Sequence, residues 1–151
     1  SVSFMSTFVI MVFMIAVPAC AHESMSHHVI ITHPWAMAAK AGENTRVFMV
    51  IENEETESIV ITALETPVAR GAQFRFQADP ETVASLSSRS IRPEEALNVG
   101  TSHMWFELID LRRDLVMGSQ FKAALKLADG RSIILTVFVG HTHKNYGPKG
   151  S

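Results

Sequence analysis

The sequence predicts an all-β domain, an antiparallel sandwich or barrel, and three observations carry that prediction. Short segments rich in Val, Ile, Thr and Phe recur after residue 21, separated by Pro, Gly, Asn and Asp. Several of them alternate apolar with polar residues, the period of a strand buried on one face. No stretch beyond residue 21 sustains the longer period of a helix.

In chain order, residues 1–21 stand apart from that domain. Residues 2–17 are largely apolar and uncharged, and Pro18-Ala19-Cys20-Ala21 follows, the pattern of a secretory h-region with an A-x-A cleavage site. The run is short for a membrane span and polar residues follow at once, so no span is expected in the mature form. No Lys or Arg precedes it and the chain begins with Ser, so the N-terminus is expected to be truncated. Cys20 is the only cysteine, which rules out an internal disulfide. Cleavage after Ala21 removes it; processing at Val17-Pro18-Ala19-Cys20 instead makes it a lipidated terminus, a pattern in which Pro18 is awkward. Both readings imply export. Both also disfavour a blue-copper electron carrier, which needs a thiolate ligand.

Residues 29–32 read as a strand stopped by Pro34, and residues 46–52 as a second, ending in a polar turn over 53–57. Residues 58–64 form a third, before Pro67. In residues 73–77, Phe74 and Phe76 alternate with Gln73, Arg75 and Gln77, as a half-buried strand requires. Residues 79–100 are less regular, broken by Pro80, Pro93 and Gly100, and Pro93-Glu94-Glu95-Ala96 fits a helical turn. Residues 121–127 alternate with Lys122 and Lys126 outward. Asp129-Gly130 is a hairpin signal leading into 133–139, an apolar run suited to a sandwich interior. About seven strands at this spacing suit a single domain over residues 22–143, with 144–151 a flexible tail.

Composition excludes several functions. The chain has 151 residues, 47% hydrophobic and 19% charged, with 13 Lys plus Arg against 15 Asp plus Glu. That balance gives no basic field for nucleic acid or an anionic membrane. No nucleophile elbow, phosphate-binding Gly loop or zinc-finger cysteine set occurs, and no enzyme is expected.

One set of motifs is more specific. His22-Glu23, His33-Pro34-Trp35-Ala36, Ala41-Gly42 and Ile51-Glu52-Asn53 occur in that order, followed by Thr66-Pro67-Val68-Ala69-Arg70. Together they resemble the periplasmic copper chaperone family PCuAC, over residues 22–139. The resemblance implies an exported cupredoxin-like sandwich that binds copper and passes it to a cuproprotein or an oxidase assembly factor. It also implies a Cu(I) site made of a His, a Met and a later His-x-Met, since thioether and imidazole suit that ion. Counting along the family pattern puts Arg75 at the first His, Trp105 at the second and Glu107 at its Met. Residues 83–90, where the other Met is expected, hold none. Alternation places Trp105 and Glu107 on one face with His103, and Met104, Phe106 and Leu108 in the core. An Arg and a Glu in place of two ligands should approach within about 6 Å and fill the metal's space.

Copper would then need other donors. All seven histidines follow the signal segment: His22, His27, His28, His33, His103, His141 and His143. With cleavage after Ala21, His22 offers its α-amine and imidazole, and one further imidazole completes a histidine brace suited to Cu(II). His141-Thr142-His143 can present both rings to one side if extended, or can be a solvated tail. The parallel first and last strands of such a sandwich should carry His141 toward His33. His27 and His28 face opposite ways, and His33 reads as structural. The candidate metal ligands are therefore His22, His103, His141 and His143, for copper as Cu(I) or Cu(II). The alternative is a PCuAC-derived interaction domain without metal, its old site filled by Arg75 and Glu107. Oxidase chemistry on a brace has no substrate to support it.

Overall fold

In the computed structural model, residues 28–100 and 103–140 are described, and all regular structure among them is β. Ten strands follow in order: β1 (Val29–Met37), β2 (Thr45–Asn53), β3 (Ile59–Glu65), β4 (Ala69–Asp79), β5 (Thr82–Leu86), β6 (Arg89–Ile91), β7 (Ala96–Val99), β8 (Met104–Leu111), β9 (Gln120–Leu127) and β10 (Ser132–Gly140). They form one continuous hydrogen-bonded path, β5-β4-β8-β2-β1-β10-β9-β3-β6, with β7 paired to β2 off that path. β1 and β10 are parallel, and the other strand pairings are antiparallel.

Alternation explains how so long a path encloses one core. Val47, Met49 and Ile51 of β2, Phe106 and Leu108 of β8, Ile61 and Leu64 of β3, and Leu125 of β9 all point inward. Each such side chain contributes about 1.5–3 kcal/mol by leaving water. Phe74 stacks on Phe106 at 4.6 Å between ring centroids, joining β4 to β8. Thr45 and Asn53 are the buried polar residues among those described; Thr45 Oγ1 donates to Met37 O, while Asn53 Nδ2 donates to Ile91 O and Glu57 O and its Oδ1 accepts from Glu55 N–H.

The expected strands over 46–52, 58–64, 73–77 and 121–127 are all present: the first and last are slightly longer, the second is shifted by one residue, and the third extends over Ala69–Asp79. Three expectations are corrected. Pro34 does not end β1: His33 takes a φ of 52° and the register shifts between Thr32 and Trp35, so Pro34 sits in a bulge, where its missing N–H costs no ladder bond. Residues 79–100 hold three short strands, which brings the count to ten rather than about seven. The segment at Pro93 is a tight turn, not a helical one: Glu94 has a φ of 67° and Glu95 N–H donates to Arg92 O at 3.0 Å. Proline at the second position and positive φ at the third are the marks of a type II turn.

The end strands also differ from a simple interior. β10 is apolar on both faces, yet Ile134 is 64% and Phe138 50% exposed. The Asp129-Gly130 hairpin is as expected, with Gly130 at a φ of 99°. Arg131 just after it is held by Glu55 and Asp129, whose carboxylates accept its guanidinium N–H groups. Those bonds push the Arg131 pKa up, the Glu55 bond most, and the Arg131 bond holds Asp129 below the usual carboxylate range.

Candidate metal centre

The family's ligand positions fall on adjacent strands, so the structure can test whether they still form a site. β8 pairs with β4 on one side and β2 on the other. The register sets Arg75 opposite Trp105, and Gln73 and Arg46 on either side of Glu107. Because Phe106 and Leu108 fill the core, Trp105 and Glu107 must share the other face.

On that face Trp105 Nε1–H donates to Glu107 Oε1 at 2.8 Å, and Arg75 Nε lies 4.0 Å from the same oxygen. The expected approach of Arg75 to Glu107 is therefore observed, although the direct hydrogen bond to Glu107 comes from Trp105. Arg75 also donates to Ser85 Oγ at 3.1 Å, across the β4–β5 hairpin. The Arg46 guanidinium lies 3.9 Å from the centroid of the Trp105 ring, a cation–π contact. Trp105 is only 4% exposed despite pointing away from the core.

This arrangement is poorly suited to a cation. Guanidinium and indole N–H are donors without a lone pair for a metal. Glu107 is the one carboxylate of the cluster, and one of its oxygens already serves Trp105 and Arg75. Two positive charges beside it oppose any further cation. Arg46, Gln73 and Ser85 were not singled out from the sequence; only the strand register reveals that they join this cluster.

The histidines are placed as follows. His103 precedes β8, is exposed, and has a φ of 63°. That left-handed residue interrupts the alternation, so the shared face expected from sequence holds for Trp105 and Glu107 and does not extend by periodicity to His103. Its carbonyl accepts from Gln77 N–H at 2.9 Å, which fixes its backbone against β4. His33 lies exposed in the β1 bulge, and His28 is exposed just before β1. His22, His141 and His143 lie outside the described residues, as do His27 and Cys20. β1 and β10 are parallel as expected, but Gly140 pairs with Met37, further along β1 than His33. Among the described residues no group of three or more His, Cys, Asp or Glu is positioned to hold a metal ion.

The ten-stranded path with β1 parallel to β10 is that of a PCuAC-type, cupredoxin-like β-sandwich. The chain belongs to the LpqE-like family, whose model matches residues 29–139. Among solved structures it is similar to the copper-bound PCuAC domain from PmoF2, at 17% identity and a TM-score of 0.65, over 76% of this chain and 94% of that one. The apo PCuAC domain from PmoF1 gives 15% identity and a TM-score of 0.65, over 76% and 95%. Cu(I)-bound DR1885 from Deinococcus radiodurans gives 19% and 0.60, over 82% and 87%. These likenesses establish a shared cupredoxin-like fold. No curated protein matched the sequence. Among the described residues no helix is long and apolar enough to cross a membrane.

Proposed function

We propose that this protein is an exported copper-binding protein, a carrier or buffer rather than an enzyme, and that histidines hold its copper. The observation that carries the copper reading is the fold it shares with a domain whose solved structure is copper-bound. The composition of the β4–β8 face supports moving the metal elsewhere, because Arg75, Trp105 and Glu107 supply no cation site there. His22, with its α-amine if cleavage follows Ala21, is the first ligand to test, and His103, His141 and His143 are its candidate partners. Imidazole nitrogens bind copper only when neutral, so protons compete for the site. Export is supported by the signal-like residues 1–21 and by the family's lipoprotein description, which also gives weight to a lipidated Cys20. The recipient would be a cuproprotein or an oxidase assembly factor.

A second reading is favoured by the same cluster: the sandwich serves as an interaction domain, with Arg75 and Glu107 filling a former metal site. Mass spectrometry of the exported chain, followed by Cu(I) and Cu(II) titration of that material, separates the two. The copper reading expects a Kd below about 1 μM. Weaker binding of both ions would leave the interaction domain as the function.

A further inference from the structure

Arg46 and Glu107 face each other in register on β2 and β8, a placement in which opposite charges usually pair across adjacent strands. They do not pair. Glu107 Oε1 accepts from Trp105 Nε1–H at 2.8 Å and lies 4.0 Å from Arg75 Nε. Arg46 instead lays its guanidinium on the Trp105 ring, 3.9 Å from the centroid. No carboxylate among the described residues lies within ion-pair distance of Arg46.

Stacking occupies one face of the guanidinium and leaves its edge, where the N–H donors lie in plane. Arg46 is exposed, whereas the ring beneath it is 4% exposed, so the arginine rests on a fixed seat. Much of the rotamer freedom that a long side chain gives up on binding is thereby already lost.

The charges around it are unbalanced. Two guanidiniums, Arg46 and Arg75, share this face with the single carboxylate of Glu107, an excess of one positive charge. The other polar side chains of the cluster, Gln73 on β4 and Ser85 on β5, are neutral. On the β1 side, Ala36 pairs with Val47, which sets Met37 beside Arg46. Met37 is 41% exposed and brings no charge.

We propose that Arg46, seated on Trp105, is the docking point for a carboxylate of a partner protein, an Asp or Glu side chain received edge-on by the guanidinium. The planar fork matches a carboxylate with two parallel hydrogen bonds. One excess positive charge balances one carboxylate and leaves a doubly charged phosphate unbalanced. A second copy meeting this face with the same face would set arginines against arginines, so the partner is a different, acidic surface. Met37 offers apolar contact to the stem of the incoming side chain. The inference goes beyond the copper reading and does not depend on it, because no metal takes part.

The test titrates the full, isotope-labelled chain with acetyl-tetraglutamate amide at low salt, following the Arg46 Nε–H and Trp105 Nε1–H signals by NMR. Both should move and saturate with a Kd of about 1 mM or below. Arg46→Gln should weaken peptide binding at least about fivefold. Arg46→Lys, which keeps the charge and loses the fork, should recover only part of that loss. Arg113→Gln, which removes another exposed charge just after β8, should leave binding unchanged. Equal losses in Arg46→Gln and Arg113→Gln would reduce the effect to general charge attraction and overturn the inference. Unmoved Arg46 Nε–H, or the same shifts with the tetraglutamine counterpart, would also overturn it. Copper is absent from every arm, so failure here leaves the histidine reading standing.

Discussion

On β8, Trp105 and Glu107 stand where the PCuAC resemblance expects copper ligands, and they are locked together with Arg75 and Arg46 by a hydrogen bond, an ion pair and a cation–π contact. At the end of β10, two exposed methionines flank a glycine that leads into a His-x-His segment. The first region is charged and tied together by its side chains; the second is apolar and exposed. Both sit on one sheet path, and neither demands a change in the core beneath it. A strand face can change its chemistry while the fold stays the same. Ligand positions alternate with core positions, so every ligand can be exchanged while Phe106 and Leu108 keep the fold.

The largest expected effect separates the cores of the two regions. Phe106→Ala removes a fully buried ring stacked on Phe74 and should cost about 3–5 kcal/mol in urea denaturation. Phe138→Ala, on the exposed face near the end of β10, should stay within about 0.5 kcal/mol. Equal losses would show that the β10 end is as tightly packed as β8.

Next comes Glu107→Ala, which leaves Trp105 N–H and Arg75 without their carboxylate. It should destabilise by about 1–3 kcal/mol and should not create a copper site, because the donors left on that face are not metal ligands. Copper acquired by this variant on the β4–β8 face would break the contrast.

Acid should act on copper before it acts on the fold. Below pH about 6.5 each imidazole ligand is protonated, costing about tenfold in affinity per pH unit and ligand. Asp129 is held below its usual range chiefly by the Arg131 hydrogen bond, and Glu95 by the Arg92 backbone N–H. A depressed carboxylate stabilises the fold fully above its unfolded pKa, about 4, and loses that contribution only as pH falls through its folded value. Copper release near pH 6 with an unchanged circular dichroism spectrum is the expected result. Coincident loss of copper and structure would contradict it.

The smallest effect is Arg46→Ala, about 0.5–1 kcal/mol from the contact with Trp105, read together with a change in tryptophan fluorescence. An unchanged spectrum would mean that Arg46 does not order the ring.

Much of this was legible before the structure. Alternation in residues 73–77 and 121–127 gave strands and faces correctly, and the family pattern brought Arg75 to Glu107. What failed was local. Pro34 looked like a stop because a bulge depends on His33 taking positive φ, which histidine does not announce. β5, β6 and β7 were missed because short strands carry too few residues to show a period. β10 read as interior because apolar residues on both faces give the same pattern whether one face is buried or two.

Copper held by histidines, and not by the β4–β8 face, is the proposal with most at stake. Competitive copper titration of the exported chain, beside Arg75→Gln and beside a variant with His22, His141 and His143 all changed to Ala, tests it most directly. Arg75→Gln should keep wild-type affinity, and the histidine variant should lose at least about a hundredfold. Full affinity retained without those three histidines, or weakened by Arg75→Gln, would contradict it.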